Sequence, residues 1–167
     1  MLKLRNLEGM SFLIWGIVAL FLTFKHVSAA EDDEIVKVVY HADFSDPKRF
    51  SAMLTSVNNM TTYYESKLLD YDVRIVFISH GIRFLIDDKL ADTPFAEDAL
   101  MAERRESNKG RLMSLKNMMS VKLELCGITQ SAVKLETKQF YPGTQIVPSG
   151  VVRIAELQNQ GFAYLKV

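Results

Sequence analysis

The stretch IVKVVYHADFSDP, residues 35–47, carries the signals that decide the fold of this chain. Its first six residues are mostly β-branched and predict a β-strand over residues 35–40. Asp46 then offers a helix-capping side chain, and Pro47 suits the first position of a helix. Apolar residues recur at helical spacing from there to about Lys67, namely Phe50, Met53, Leu54 and Val57. The stretch therefore predicts a strand followed closely by a helix.

The alternation of strand and helix continues to the end of the chain. Further strands are predicted over residues 73–78, 121–125, 145–147 and 162–167. The remaining helices are predicted from Thr93-Pro94 through Met118 with a break near 108–110, over 129–139, and from Ser149-Gly150 to about Leu157. This order is typical of a parallel sheet with helices on both faces. We therefore predict an α/β fold over residues 35–167, a three-layer α/β/α domain with a mostly parallel sheet of about five strands.

Length and charge narrow the class of protein. A chain of 167 residues corresponds to one domain, or to one domain with an appendage. It carries 20 basic and 20 acidic residues, for a formal net charge of zero. No basic run follows the pattern of nucleic-acid binding, so we expect no nucleic acid as a partner.

The first thirty residues have the layout of a secretory signal peptide. Lys3 and Arg5 give a positive start, residues 10–24 form an uncharged apolar run, and residues 27–30 (VSAA) offer small side chains for cleavage after Ala29 or Ala30. The apolar run is short for a membrane span, although an uncleaved N-terminal anchor remains the alternative.

We therefore predict a signal peptide over residues 1–30, an acidic spacer over 31–34, and export to the periplasm with no membrane attachment after cleavage. The mature chain would have 167 − 30 = 137 residues.

Cys126 is the only cysteine of the chain, so it cannot form an internal disulfide. It follows a predicted strand and precedes a predicted helix start at Thr129. Unpaired N–H groups and the partial positive charge at a helix N-terminus favour the thiolate, the nucleophilic form. Gly127 would allow a substrate or backbone to approach closely. The alternative is a buried cysteine that acts only as a small apolar residue.

His41 and His80 also fall at the carboxyl ends of predicted strands. In an open parallel sheet, ligands bind beyond these ends, so neighbouring strands would place both histidines and Cys126 along one edge. A histidine there could pair with the thiolate or shuttle a proton. A strand-end histidine can equally bond a loop carbonyl and do nothing more. Arg83 could hold an anion near this edge or lie solvated in a loop.

Thiolate and imidazole ligands together also suit zinc or copper. The chain contains neither a CxxC nor an HxxxH motif, so the sequence indicates no specific metal site.

Four stretches together resemble the DsrE/DsrF-like family, in particular its exported single-domain members. They are residues 39–50 (VYHADFSDPKRF), 76–81 (VFISHG), 124–129 (ELCGIT) and 147–158 (VPSGVVRIAELQ). The resemblance spans about residues 35–167. It implies an α/β/α domain that assembles into trimers or hexamers. Sulfur-relay members carry sulfur as a persulfide on a cysteine between a strand and the next helix, and only Cys126 matches that position.

The leading hypothesis is an exported sulfur-carrier or sulfurtransferase-like protein. Cys126 would hold sulfane sulfur as a persulfide and pass it to a partner thiol protein, with no cofactor. His41 and His80, proposed from strand-end geometry alone, would tune or shield the persulfide. The alternative is a non-enzymatic homo-oligomer that binds a small ligand or a metal at the His41, His80 and Cys126 edge. A third hypothesis is a structural oligomer with an inert cysteine.

Overall fold

The computed structural model describes residues 35–167. The predicted signal peptide and acidic spacer lie outside these residues. Of the helices within residues 35–167, none is long and apolar enough to cross a membrane.

The centre of the domain is a five-stranded sheet in which every neighbouring pair of strands is parallel. The strands are β1 (Val36–Ala42), β2 (Tyr71–Phe77), β3 (Lys122–Cys126), β4 (Thr144–Val147) and β5 (Ala163–Leu165). They lie in the order β4-β3-β2-β1-β5. The chain thus moves outward from β1 to β4 and then returns to the other side of β1. The prediction of a mostly parallel sheet of about five strands is confirmed.

Four helices and two short 3₁₀ segments connect the strands. The helices are α1 (Pro47–Ser66), α2 (Ala99–Met118), α3 (Gly127–Val133) and α4 (Gly150–Asn159), and the 3₁₀ segments are Ser79–Phe84 and Thr137–Gln139. Asp46 caps α1 as predicted, because its carboxylate accepts a hydrogen bond of 2.7 Å from the Lys48 N–H. Ser149 caps α4, accepting from the Val152 N–H at 3.5 Å.

The second helical region differs from the prediction at both its start and its middle. Thr93 lies in a turn, where its hydroxyl accepts from the Phe95 N–H at 3.1 Å, and the helix begins only after its cap at Asp98. The predicted break near 108–110 is wrong, since α2 runs unbroken through Gly110. Leu112 and Leu115 are buried beyond that point, and their packing holds the helix despite the low helix propensity of glycine.

The helix predicted over residues 129–139 is also shorter than expected. It begins at Gly127, two residues earlier, and ends at Val133. Lys134 takes the left-handed conformation (φ 55°), which terminates the helix. The 3₁₀ turn Thr137–Gln139 follows as a separate element.

The two faces of the sheet are covered differently. Helices α1 and α2 pack on one face and form the main core with alternate strand residues such as Tyr40, Ile75 and Leu125. Helix α4 packs on the other face over a smaller apolar cluster: Val39, Val76, Ile154, Leu157 and Phe162. Helices therefore lie on both faces, which confirms the three-layer α/β/α fold.

Candidate functional site

Cys126 is the last residue of β3 and the cap residue of α3. Leu123 and Leu125 point into the main core, so the alternation of a strand turns Glu124 and Cys126 toward the α4 face. Cys126 pairs with Val147 on β4 and is 3% exposed. The thiol therefore lies at the carboxyl edge of the sheet, almost covered by its neighbours.

The first residue of α4 lies directly on Cys126. A Cβ atom added at Gly150 would be 3.0 Å from the Cys126 Cβ atom and 2.5 Å from the Cγ1 atom of Ile78. Only glycine lets the start of α4 come this close to the end of β3. Cys126 thus lies where the N-termini of two helices, α3 and α4, meet.

The surroundings of the sulfur favour the thiolate. Burial, the largest single influence, raises the pKa of the Cys126 thiol, because a charged sulfur is disfavoured away from water. The backbone N–H groups of Gly150, Thr129 and Ile128, together with the Thr129 hydroxyl, act in the opposite direction. They outweigh burial and hold the pKa of Cys126 below its ordinary value.

His80 is connected to the Cys126 edge through Thr129. The Thr129 hydroxyl accepts from the Ser79 N–H at 3.0 Å, which ties the end of β2 to the start of α3. The Ser79 hydroxyl lies 3.3 Å from Nδ1 of His80. The His80 ring also packs edge-on against Phe95, with ring centroids 5.3 Å apart. His80 therefore lies on the segment that is bonded to the start of α3.

His41 lies on the same face of the sheet as Cys126, but its side chain is turned toward β5. Its Nδ1 atom is 3.0 Å from the Tyr164 hydroxyl, and its Nε2 atom is 3.7 Å from the Asp43 carboxylate. Strand β2 separates β1 from β3, and the register places His41 level with Glu124, two residues before Cys126. The segment that carries His80 is thus bonded to the start of α3, whereas the one hydrogen bond of the His41 side chain is to Tyr164 on β5.

Two other residues singled out in the sequence have structural roles. Arg83 is 4% exposed and donates to the Ser45 carbonyl at 3.1 Å and to the Asp98 carboxylate at 2.6 Å. It is neither a solvated loop residue nor an open anion site, because these partners occupy it. A Cβ atom at Gly127 would be 3.1 Å from the Val147 carbonyl oxygen. The close approach at Gly127 is therefore to β4 and not to a substrate.

A buried ion cluster beside Cys126 was missed by the sequence analysis. Glu124 is fully buried and accepts from Arg153 at 2.7 and 3.0 Å and from Arg74 at 2.9 Å. A glutamate between two leucines of a strand was the available signal, because such a position must be paired when buried. Within residues 35–167, no three His, Cys, Asp or Glu side chains come together as a metal site would require.

The fold and the site define a class: an α/β/α domain that holds a single thiol of lowered pKa at the carboxyl edge of a parallel sheet. Residues 33–167 match the family model of the DsrE/DsrF-like family, and the chain belongs to this family. The resemblance noted in the sequence is thereby confirmed.

Similar proteins confirm the fold but name no activity. The chain is 27% identical over 130 residues to an uncharacterized protein of Aquifex aeolicus (strain VF5), an alignment that covers 78% of this chain. This chain spans about half of that relative, 55% of its length.

Two solved structures share the fold. One is a protein of unknown function, MTH1491 from Methanobacterium thermoautotrophicum, with a TM-score of 0.59 and 23% identity over 79% of this chain and 99% of that one. The other is the ychN protein from E. coli, with a TM-score of 0.53 and 16% identity over 80% of this chain and all of that one.

Proposed function

We propose that this protein is a sulfur carrier that holds sulfane sulfur as a persulfide on Cys126. The observation that carries the proposal is the position of the Cys126 thiol, at two helix N-termini and with its pKa lowered. Membership of a family that includes sulfur-relay proteins supports the same chemistry.

The transfer would proceed by two thiol exchange steps. The Cys126 thiolate attacks the outer sulfur of a low-molecular-weight persulfide, the S–S bond of the donor breaks, and the donor leaves as a thiolate. Cys126 then carries one additional sulfur. A thiolate of the acceptor attacks that terminal sulfur and releases the Cys126 thiolate. Each step exchanges one S–S bond for another, so no external oxidant or reductant is needed.

The proposal gives the two histidines different roles. His80 follows Ser79, whose N–H is bonded to Thr129, and we propose that it shields a persulfide on Cys126. His41 was predicted to share this role, but its contacts are with Tyr164 and Asp43. We therefore assign His80 to the site and expect His41 to contribute to stability.

The acceptor must be another molecule, because the chain has only one cysteine. We propose a partner protein with a reactive thiol, in the compartment to which the predicted signal peptide would deliver this chain. We also propose that the chain forms a homo-oligomer, a trimer or hexamer as the family resemblance implies. Light scattering on the purified protein tests the assembly, and a monomeric mass would contradict it.

The sulfur-carrier function is tested by incubating the protein with glutathione persulfide and measuring its intact mass. We expect a gain of one sulfur atom that dithiothreitol removes. Cys126→Ser is the matched control and should gain nothing. A wild-type protein that acquires no sulfur would contradict the proposal, as would equal labelling of the Cys126→Ser variant.

A further inference from the structure

The buried carboxylate of Glu124 joins the sheet to helix α4. Arg153 of α4 donates to both of its oxygens, at 2.7 Å from Nε and 3.0 Å from Nη2, and Arg74 of β2 donates at 2.9 Å. A guanidinium that binds a carboxylate through two parallel hydrogen bonds is fixed in orientation as well as in distance. The position of Arg153 over β3 is therefore set by Glu124.

The same strand and the same helix meet again at the thiol. Glu124 and Cys126 are two residues apart on β3 and face α4, while Gly150 and Arg153 are three residues apart on α4. One contact is the ion pair between Glu124 and Arg153, and the other is the close approach of Gly150 to Cys126. A helix held at the first contact cannot move away from the second without breaking the ion pair.

We propose that Glu124 is a positioning residue for the thiol, because through Arg153 it holds the N-terminus of α4 against Cys126. Gly150 completes the arrangement, since a Cβ atom there would crowd both the Ile78 side chain and the Cβ atom of Cys126. This inference rests on the proposed function for its biological purpose. The positioning itself is a property of the thiol that is measured without any sulfur donor.

The negative charge of Glu124 and its positioning role have opposite effects on the pKa of Cys126. A carboxylate near a thiol disfavours the thiolate, so neutralising Glu124 would by charge alone lower the pKa of Cys126. If Glu124 instead holds α4 in place, its neutralisation raises that pKa. The charged or titratable groups on the elements around Cys126 are Lys122 and Glu124 on β3, Tyr71, Asp72 and Arg74 on β2, His80 and Arg83 on the segment after β2, and Arg153 and Glu156 on α4. Residues 127–133 and 144–147 carry no charge.

The test is the rate of Cys126 alkylation by iodoacetamide as a function of pH in the full chain. In Glu124→Gln we expect the thiol pKa to rise and the thiolate fraction at neutral pH to fall about two- to fivefold, the effect of losing one helix N-terminus. Glu156→Gln is the matched control, because it removes an exposed carboxylate of the same helix, 3.6 Å from Arg153. We expect no rise there. A folded Glu124→Gln protein with an unchanged or lowered thiol pKa would overturn the proposal.

Two further variants cover the case in which Glu124→Gln fails to fold, as circular dichroism would show. Arg153→Lys keeps the charge and loses the two-pronged contact, and Gly150→Ala pushes the helix from Cys126. Both substitutions should raise the thiol pKa. If both variants fold and keep the wild-type thiol pKa, the inference is overturned.

Sulfur uptake by the wild-type protein is measured separately, so the two ideas can fail independently. A protein that takes up no sulfur but shows the shifted thiol pKa in these variants contradicts only the sulfur-carrier function. A protein that takes up sulfur while the variants keep the wild-type thiol pKa contradicts only the positioning role.

Discussion

His41 is a largely covered histidine whose protonation opposes folding. Burial has the largest effect and lowers its pKa, Asp43 raises it, and Lys166 lowers it, with a net pKa below the ordinary value of 6.5. The unfolded chain therefore binds a proton more readily than the folded protein does. The contribution of His41 to stability is fully present above about pH 6.5 and is lost as the pH falls below it.

We predict that His41→Asn makes the free energy of unfolding less dependent on pH just below pH 6.5. Urea unfolding at a series of pH values measures the change. Four aspartates with lowered pKa values, Asp43, Asp72, Asp87 and Asp98, act only below about 3.8 and do not interfere. Tyr164→Phe keeps the histidine and should keep the dependence. An unaltered pH profile in His41→Asn would show that another group causes it.

Tertiary packing keeps α2 helical at a residue of low helix propensity. Gly110 lies in its interior and is exposed, with open space where a Cβ atom would be added. We predict that Gly110→Ala raises the free energy of unfolding by about 0.5 to 1 kcal/mol, because alanine loses less backbone entropy in a helix. Chemical denaturation measures the change.

The matched control for that substitution is Gly81→Ala, in the 3₁₀ segment after β2. A Cβ atom there would be 2.1 Å from the Ala42 carbonyl oxygen, so the backbone must shift. We expect a loss of about 1 to 3 kcal/mol, as for other overpacked positions. A Gly110→Ala protein that is less stable than the wild type would show that α2 needs flexibility at residue 110.

At the scale of the whole molecule, both hydrophobic clusters are built from residues 35–167. We predict that the chain from Glu31 onward folds on its own and unfolds in one cooperative transition, because about 140 residues suffice to bury a core. Near-ultraviolet circular dichroism with urea titration tests this. A chain that starts at Asp43 lacks β1, the strand between β2 and β5, and should not fold. A broad, non-cooperative transition in the longer chain would contradict the prediction.

Part of this molecule could be predicted from the sequence because the signals are local. Asp46-Pro47 and Ser149-Gly150 start helices through contacts within three residues, and the structure places both caps as predicted. The break near Gly110 was predicted wrongly because the local propensity of glycine is overridden by the packing of Leu112 and Leu115. The position of Cys126 between a strand and a helix was also a local inference, and it is confirmed.

The sequence by itself determined the alternation of strands and helices, and hence a parallel sheet with its polar strand ends on one edge. Only the tertiary structure decided that β2 separates His41 from Cys126, that α4 begins on the thiol, and that Glu124 holds Arg153. The physical reason is the range of the forces involved. Periodicity and capping act over a few residues, whereas strand order and helix position depend on the packing of segments far apart in the chain.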